Sequence, residues 1–186
     1  MNNVFKIKYL SLLLLISFIG CSKNEAQEEA QLKMSNLTAI TNNDMVGHWE
    51  LSKITSDVEV DLDSNPGGST NLMDETDCFN NMYITFDSNG SFITNNATMS
   101  FEAGDGDDFQ CIADRMDNGQ WEVRNDSLIL TMNLNGQEYI HQKYINKGPD
   151  YFSLDITKME SNQYVSDPGN TRASVIRILE LEYTRS

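Results

Sequence analysis

The sequence predicts an all-β fold, an eight-stranded up-and-down antiparallel barrel. From Gly47 onward, short segments alternate apolar and polar residues, as half-buried strands do. Turn-forming residues separate these segments at short intervals, and no long helical period lies between them. A meander of this length tends to close, because closure removes both exposed edges. An open sandwich is the alternative architecture.

The first predicted strand begins at Gly47 and places Trp49 and Leu51 on one face. The alternation continues through Asp57–Asp63, where four carboxylates share the opposite face. This pattern predicts a long strand with an acidic outer surface. Residues 64–71 are polar and rich in glycine, which predicts a loop, and residues 72–80 are expected to form a helical turn.

The middle of the chain predicts a hairpin and a long irregular segment. Residues 82–87 and 91–101 read as strands, and the Asn89-Gly90 pair between them supplies the positive φ angles of a tight turn. Residues 102–117 are acidic and lack alternation, so we expect an irregular excursion there.

The remaining strands are predicted from apolar stripes. The segment 119–123 starts a strand, and Asn125-Asp126 turns the chain into its partner. Asn135-Gly136 then opens a hairpin into residues 138–145. The inward stripes of the other strands are Leu128, Leu130, Met132 and Leu134, then Phe152, Leu154 and Ile156, then Leu179, Leu181 and Tyr183.

The net charge of the chain limits the classes of molecule that it is expected to bind. The 186 residues include 28 acidic and 13 basic side chains, for a formal net charge of −15. A surface this acidic repels phosphate backbones, so we expect no nucleic-acid partner. We expect one domain of ordinary size after the leader, and a monomer.

The N-terminal residues predict a targeting signal. Lys6 and Lys8 precede an apolar run, Tyr9–Ile19, which is too short for a permanent membrane span. The following Phe18–Cys21 resembles the bacterial lipobox, although Phe18 stands where that motif usually has leucine. The alternative is an ordinary secretory signal with a chance cysteine.

The lipobox resemblance implies a lipid-anchored protein. Cys21 would be the lipidated N-terminus, which places the protein in the cell envelope, on the periplasmic or surface face of the outer membrane. The predicted organisation is a signal peptide at 1–20, a flexible polar tether at 21–44 and a barrel domain at 45–186.

Gly47-x-Trp49 resembles the lipocalin signature. In that family the tryptophan closes one end of an eight-stranded barrel, and a basic residue near the end of the last strand packs across it. Arg185 continues the inward phase of Leu179, Leu181 and Tyr183, so the same contact is feasible here and worth about 1 kcal/mol. The resemblance implies a barrel closure made by Gly47, Trp49 and Arg185.

The order of motifs from Met45 to Ser186 is similar to the lipocalin-like domain of many lipoproteins of Bacteroidetes-type bacteria. Shared features include the first Gly-x-Trp, a cysteine near Cys78, a strand like Ile84–Phe86, the second Gly-x-Trp at Gly119 and a final arginine. The resemblance implies a lipocalin-like fold and an envelope location, and it leaves the ligand unspecified.

Cys78 and Cys111 remain once Cys21 is assigned to lipid. In an oxidising compartment an even pair favours a disulfide. A bridge would close a loop of about 34 residues and stabilise the domain by roughly 3–4 kcal/mol. Two unpaired thiols are the alternative.

A calcium site is a further hypothesis. Asp61, Asp63 and Asn65 offer oxygen ligands at every second residue, as the start of an EF-hand loop does. Pro66 stands where that loop has glycine, and Leu72 occupies its twelfth position. Solvated acidity of a turn is the alternative.

Catalysis is not expected. His48 and His141 are isolated, and no Ser/His/Asp, Cys/His or metal-ligand spacing is visible. Our first functional hypothesis is a membrane-anchored, lipocalin-like protein that binds a small apolar or amphipathic ligand, unless Trp49, Trp121 and Met132 fill the barrel. The second is a Ca²⁺-stabilised surface module that binds glycan or protein.

Overall fold

The structure is a computed structural model, and it describes residues 39–102, 107–134 and 136–186. The predicted signal peptide, the lipidation site Cys21 and the tether up to residue 38 lie outside the described residues. So does Asn135 of one predicted hairpin.

Strands dominate the described chain. They are β1 (Gly47–Val60), β2 (Ser69–Asn71), β3 (Tyr83–Phe86), β4 (Ser91–Ser100), β5 (Gln110–Arg124), β6 (Ser127–Leu134), β7 (Gln137–Tyr144), β8 (Asn146–Lys147), β9 (Tyr151–Thr157), β10 (Val165–Ser166) and β11 (Ile178–Arg185). The helical pieces are α1 (Asn42–Met45), α2 (Lys158–Ser161) and the 3-10 turns Leu72–Asp74, Asp77–Phe79 and Arg172–Val175. Among the described helices none has the length and apolar content to cross a bilayer.

The strands form one curled, barrel-like sheet. Paired neighbours follow the order β7-β6-β5-β4-β3-β1-β11-β9-β8, and all of these pairs are antiparallel. The last strand pairs with the first, with Trp49 opposite Arg185. In the described residues this path starts at β7 and ends at β8, so the sheet is a half-barrel.

The predicted all-β class is confirmed. Eight strands of four or more residues carry the sheet, as the alternation predicts. The sheet has eleven strands in all, because β2, β8 and β10 are too short for an alternating pattern to reveal them. The last of these, β10, pairs in parallel with β4, although the two strands are distant in the sequence.

The inward stripes form the core. Leu179, Leu181 and Tyr183 alternate with more exposed residues along β11, as predicted. The fully buried ring of Trp49 meets Phe152 edge to face at 5.1 Å. Trp121 is also buried, and its ring lies 4.7 Å from that of Phe86. These aromatic pairs fill the half-barrel on the side of Trp49.

The irregular segment predicted at 102–117 is wrong in its second half, because β5 begins at Gln110. Ile112 and Met116 are about half exposed, whereas Arg115 and Asp117 line the cavity inside the sheet, with Arg115 still open to solvent. The hydrophobic pattern is therefore the reverse of that expected for a strand with an apolar inner face. Pairing with β4, across a bulge in the register, holds the strand.

Residues 39–44, which the sequence assigns to the tether, belong to the compact unit Ala39–Ser186. The backbone N–H of Ile40 donates to the Asp126 carboxylate at 2.9 Å. The Asn42 side chain accepts from the Val123 N–H at 2.7 Å. Met45 is fully buried. Polar composition predicts a tether here, but these long-range contacts hold residues 39–44 on the sheet.

Candidate ligand-binding cavity

Three residues close one end of the half-barrel. The Arg185 guanidinium lies 4.2 Å from the centroid of the Trp49 ring, and it donates hydrogen bonds to the Val46 and Asp44 carbonyls. Gly47 has φ +136°, and a Cβ there would meet Arg185 Nη1 at 2.6 Å. The Trp49 indole N–H donates to the Met45 carbonyl at 2.7 Å. The residues that the sequence assigns to closure are thus in mutual contact.

A cavity of about 100 Å³ lies inside the sheet. Its apolar wall comes from β3, β4, β6, β9 and β11, so strands far apart in the sequence surround it. The wall consists of Ile84, Phe92, Leu128, Leu130, Met132, Phe152, Leu154, Ile156, Leu181 and Tyr183. The sequence offers Trp49, Trp121 and Met132 as residues that could fill the barrel. Of these three, only Met132 lines the cavity, and together they leave part of the interior open.

Polar side chains form the other side of the cavity. They come from β4, β5, β7 and the segment that follows β9, and they are Thr94, Asn96, Arg115, Asp117, His141, Lys143, Glu160, Gln163 and Tyr164. An apolar wall with a small polar region is the usual composition of a site for a small amphipathic molecule.

The segment after β9, residues 158–166, reaches across the half-barrel. α2 starts it and β10 ends it, where the Met99 N–H donates to the Tyr164 carbonyl at 2.7 Å and the Phe101 N–H to the Ser166 carbonyl at 2.9 Å. These bonds to β4 fix Tyr164 beside the cavity. We call residues 158–166 the crossing segment.

Two ion pairs lie in the polar region. Arg115 Nε is 3.1 Å from Asp117 Oδ2 on the same strand. Lys143 Nζ contacts Glu160 Oε2 and joins β7 to the crossing segment. Burial would raise the pKa of Glu160, but hydrogen bonds from Lys143 and from the Thr157 hydroxyl and N–H outweigh it and lower the pKa to about 2. Glu160 is thus a carboxylate at neutral pH.

Two tyrosines, Tyr164 and Tyr183, line the cavity. Tyr183 is 6% exposed and stacks on Phe152, with ring centroids 5.1 Å apart. Tyr164 is half-buried, and burial raises its pKa to about 12. Burial, and then the neighbouring Tyr164, raise the pKa of Tyr183 well above its usual value. Both hydroxyls are therefore neutral donors at neutral pH.

The two remaining cysteines form a disulfide. Cys78 and Cys111 are bridged with their Cα atoms 5.5 Å apart. The bridge joins the 3-10 turn Asp77–Phe79 to the start of β5. It thereby fixes the end of β5 that the hydrophobic pattern does not predict.

The residues of the calcium hypothesis lie in a turn after β1. Oxygens of Asp61, Asp63 and Glu75 lie within 4.8 Å of one another. Asn65 instead donates its amide N–H to Asp63. Arg172 Nη1 lies 3.5 Å from Asp61 Oδ1 and donates to the Asp61 carbonyl at 3.0 Å. This arrangement favours Arg172 as the counter-ion of the group, and calcium binding stays a prediction.

Most of the polar side of the cavity does not follow from the sequence. Arg115 and Asp117 fell in the supposed irregular segment, and Glu160 and Tyr164 lie in a segment assigned no element. One local signal was available: Thr157 and Glu160 have the spacing of a capping box, and both the Thr157 N–H and its hydroxyl donate to Glu160. That signal predicts α2 but gives no indication that the segment crosses to β4.

Comparison with known proteins gives a family match. A family model described as a lipocalin-like domain matches residues 45–162. The matched region runs from the start of the sheet through α2 and covers more than half of the chain. No curated protein and no solved structure matches the chain.

Proposed function

The chain belongs to the lipocalin-like domain family, and from this premise we propose that it is a non-catalytic protein that binds a small apolar or amphipathic molecule in the cavity. The single observation that supports this proposal is the composition of the cavity. Ten apolar side chains from five strands surround it on one side, and polar groups gather on the other.

The size of the cavity limits the ligand. Apolar cavities on the order of 150 Å³ in protein cores hold one benzene molecule. The space of about 100 Å³ is smaller than that, so a ligand of the size of benzene or larger would enter with one end and extend through the partly open side of the cavity.

Uptake of ethylbenzene, measured by isothermal titration calorimetry, tests the proposal. Leu130→Trp places an indole in the cavity, and we expect it to weaken uptake at least about ten-fold by filling the space. Ile140→Trp is the matched control, because Ile140 is 62% exposed on the neighbouring strand β7. Unsaturable uptake, or equal uptake by both variants, would refute ligand binding in this cavity.

We further propose that Cys21 carries lipid and that the protein is anchored in the outer membrane. The support is the order of Lys6, Lys8, the apolar run 9–19 and the small residue before Cys21. Mass spectrometry of the mature N-terminus tests the modification. We expect an acylated Cys21 peptide from unaltered protein and an unacylated, uncleaved chain from Cys21→Ser. A mature N-terminus at any other residue would argue against the anchor.

A further inference from the structure

We propose that the cavity selects an uncharged amphiphile with an oxygen acceptor, a carbonyl or hydroxyl group, to which the hydroxyls of Tyr164 and Tyr183 donate. This inference rests on the proposed ligand-binding function and specifies the chemical class of the ligand.

Tyr164 and Tyr183 each offer a hydroxyl donor to a ligand in the cavity. Both tyrosines line the cavity. Tyr183 is 6% exposed and Tyr164 is half-buried, and within the described part of the chain neither hydroxyl is hydrogen-bonded to another protein group. A phenol hydroxyl without a protein partner gains a protein–ligand hydrogen bond when a ligand oxygen takes the place of water beside it. A ligand oxygen between the two phenols would serve as this acceptor.

Other polar groups nearby already have protein partners. The Asn96 amide donates to Thr94 Oγ1 at 2.7 Å and to Asp117 Oδ2 at 3.0 Å. The Thr98 hydroxyl, at the edge of the crossing segment, donates to the Gln163 carbonyl at 2.6 Å. The phenols are therefore better placed than these groups to bind a ligand oxygen.

The charges favour a neutral ligand. Arg115 pairs with Asp117, and Lys143 pairs with Glu160, so each cation that lines the cavity already has a carboxylate. A carboxylate or ammonium group on the ligand would lose its hydration and would have to compete with these pairs. A carbonyl or hydroxyl loses far less hydration, and one or two phenol hydrogen bonds replace what it loses.

Four compounds of similar size test this class: acetophenone, which has a neutral carbonyl, ethylbenzene, which has no strong acceptor, phenylacetate, an anion, and phenethylammonium, a cation. Binding is measured by isothermal titration calorimetry on the full chain at neutral pH. Leu130→Trp gives the background from uptake outside the cavity. We expect acetophenone to bind at least about ten-fold more tightly than either ion.

Tyr164→Phe and Tyr183→Phe identify the donors. Each variant removes one hydroxyl and keeps the ring, so we expect the preference for acetophenone over ethylbenzene to fall about five-fold in each while ethylbenzene affinity is unchanged. Tyr144→Phe is the control, because Tyr144 is 71% exposed on β7 and does not line the cavity.

The outcomes separate this inference from the proposed function. If ethylbenzene binds and the preference is the same in both Phe variants as in unaltered protein, ligand binding stands and the role of the phenols is refuted. Tightest binding of phenylacetate or phenethylammonium would refute the neutral class. If none of the four compounds binds above the background, both proposals fall.

Discussion

The Arg185 guanidinium lies 4.2 Å from the centroid of the Trp49 ring and donates to the Val46 carbonyl at 2.6 Å and the Asp44 carbonyl at 2.8 Å. One side chain at the end of the last strand thus contacts the first strand and the segment that leads into it. This relationship stabilises the joint between β1 and β11 at the end of the half-barrel away from the polar side of the cavity.

Arg185→Met should destabilise the fold by about 1–2 kcal/mol. The change removes the cation–π contact and the hydrogen bonds to two carbonyls, while the exposure of Arg185 keeps the loss modest. Urea unfolding measures the difference. Arg177→Met is the control, because Arg177 uses its backbone N–H, and not its guanidinium, to bond Asp57. Equal midpoints for the two variants would contradict a closing role for Arg185.

Gly47→Ala should destabilise the fold more than Gly67→Ala. Both glycines have strongly positive φ, +136° and +126°, so both variants pay a similar backbone cost of about 1–3 kcal/mol. Only at Gly47 does a new Cβ also approach Arg185 Nη1, at 2.6 Å, whereas nothing lies within 4 Å at Gly67. Urea unfolding of both variants isolates the contact. A smaller loss at Gly47 would show that Arg185 moves aside freely.

The sequence predicts the fold well because β structure repeats locally. Leu179, Leu181 and Tyr183 share a face by their spacing alone, and the same is true of Phe152 and its neighbours in β9. The position of Arg185 beside Trp49 also follows from the two-residue period of the last strand, once that strand is placed beside the first. Period-two patterns of this kind need no knowledge of distant contacts.

The polar side of the cavity depends on contacts that local patterns do not contain. Arg115 and Asp117 share the phase of the buried Trp121 along β5, but charged side chains on the inner face give no apolar stripe from which a strand could be predicted. Tyr164 reaches the cavity because β10 pairs in parallel with β4, a contact between residues more than 60 positions apart. A two-residue strand carries no periodicity, so the crossing segment and its tyrosine were not predictable.

Reduction of the Cys78–Cys111 disulfide should destabilise the domain by about 3–4 kcal/mol, because the unfolded chain then gains the freedom of a loop with a sequence separation of 33. Thermal unfolding with and without dithiothreitol measures the effect. The double variant Cys78→Ala/Cys111→Ala should match the reduced protein and should not respond to reductant. An unchanged midpoint on reduction would show that the sheet alone fixes the start of β5.

Acid should weaken the attachment of the crossing segment through Glu160. Its pKa is about 2 in the folded protein, against an ordinary value of 4.5, because hydrogen bonds from Lys143 and Thr157 outweigh the opposing effect of burial. A depressed folded pKa adds stability that is complete above pH 4.5 and is lost as the pH falls towards 2. Glu160→Gln should therefore lower stability at neutral pH and flatten its decline between pH 4.5 and 2.

Urea midpoints at a series of pH values from 7 to 2.5 measure this slope. Glu138→Gln is the matched control, since Glu138 is exposed on β7 and has no hydrogen-bond or ion-pair partner in the described chain. We expect the stability profile of Glu138→Gln to follow that of the unaltered protein. The Glu160→Gln profile should converge with both at the acid end, because protonated Glu160 loses the ion pair with Lys143 that the substitution removes. Parallel profiles for Glu160→Gln and the unaltered protein would contradict this prediction. They would mean that Glu160 has the same pKa in the folded and unfolded states, so that its ion pair with Lys143 contributes no pH-dependent stability.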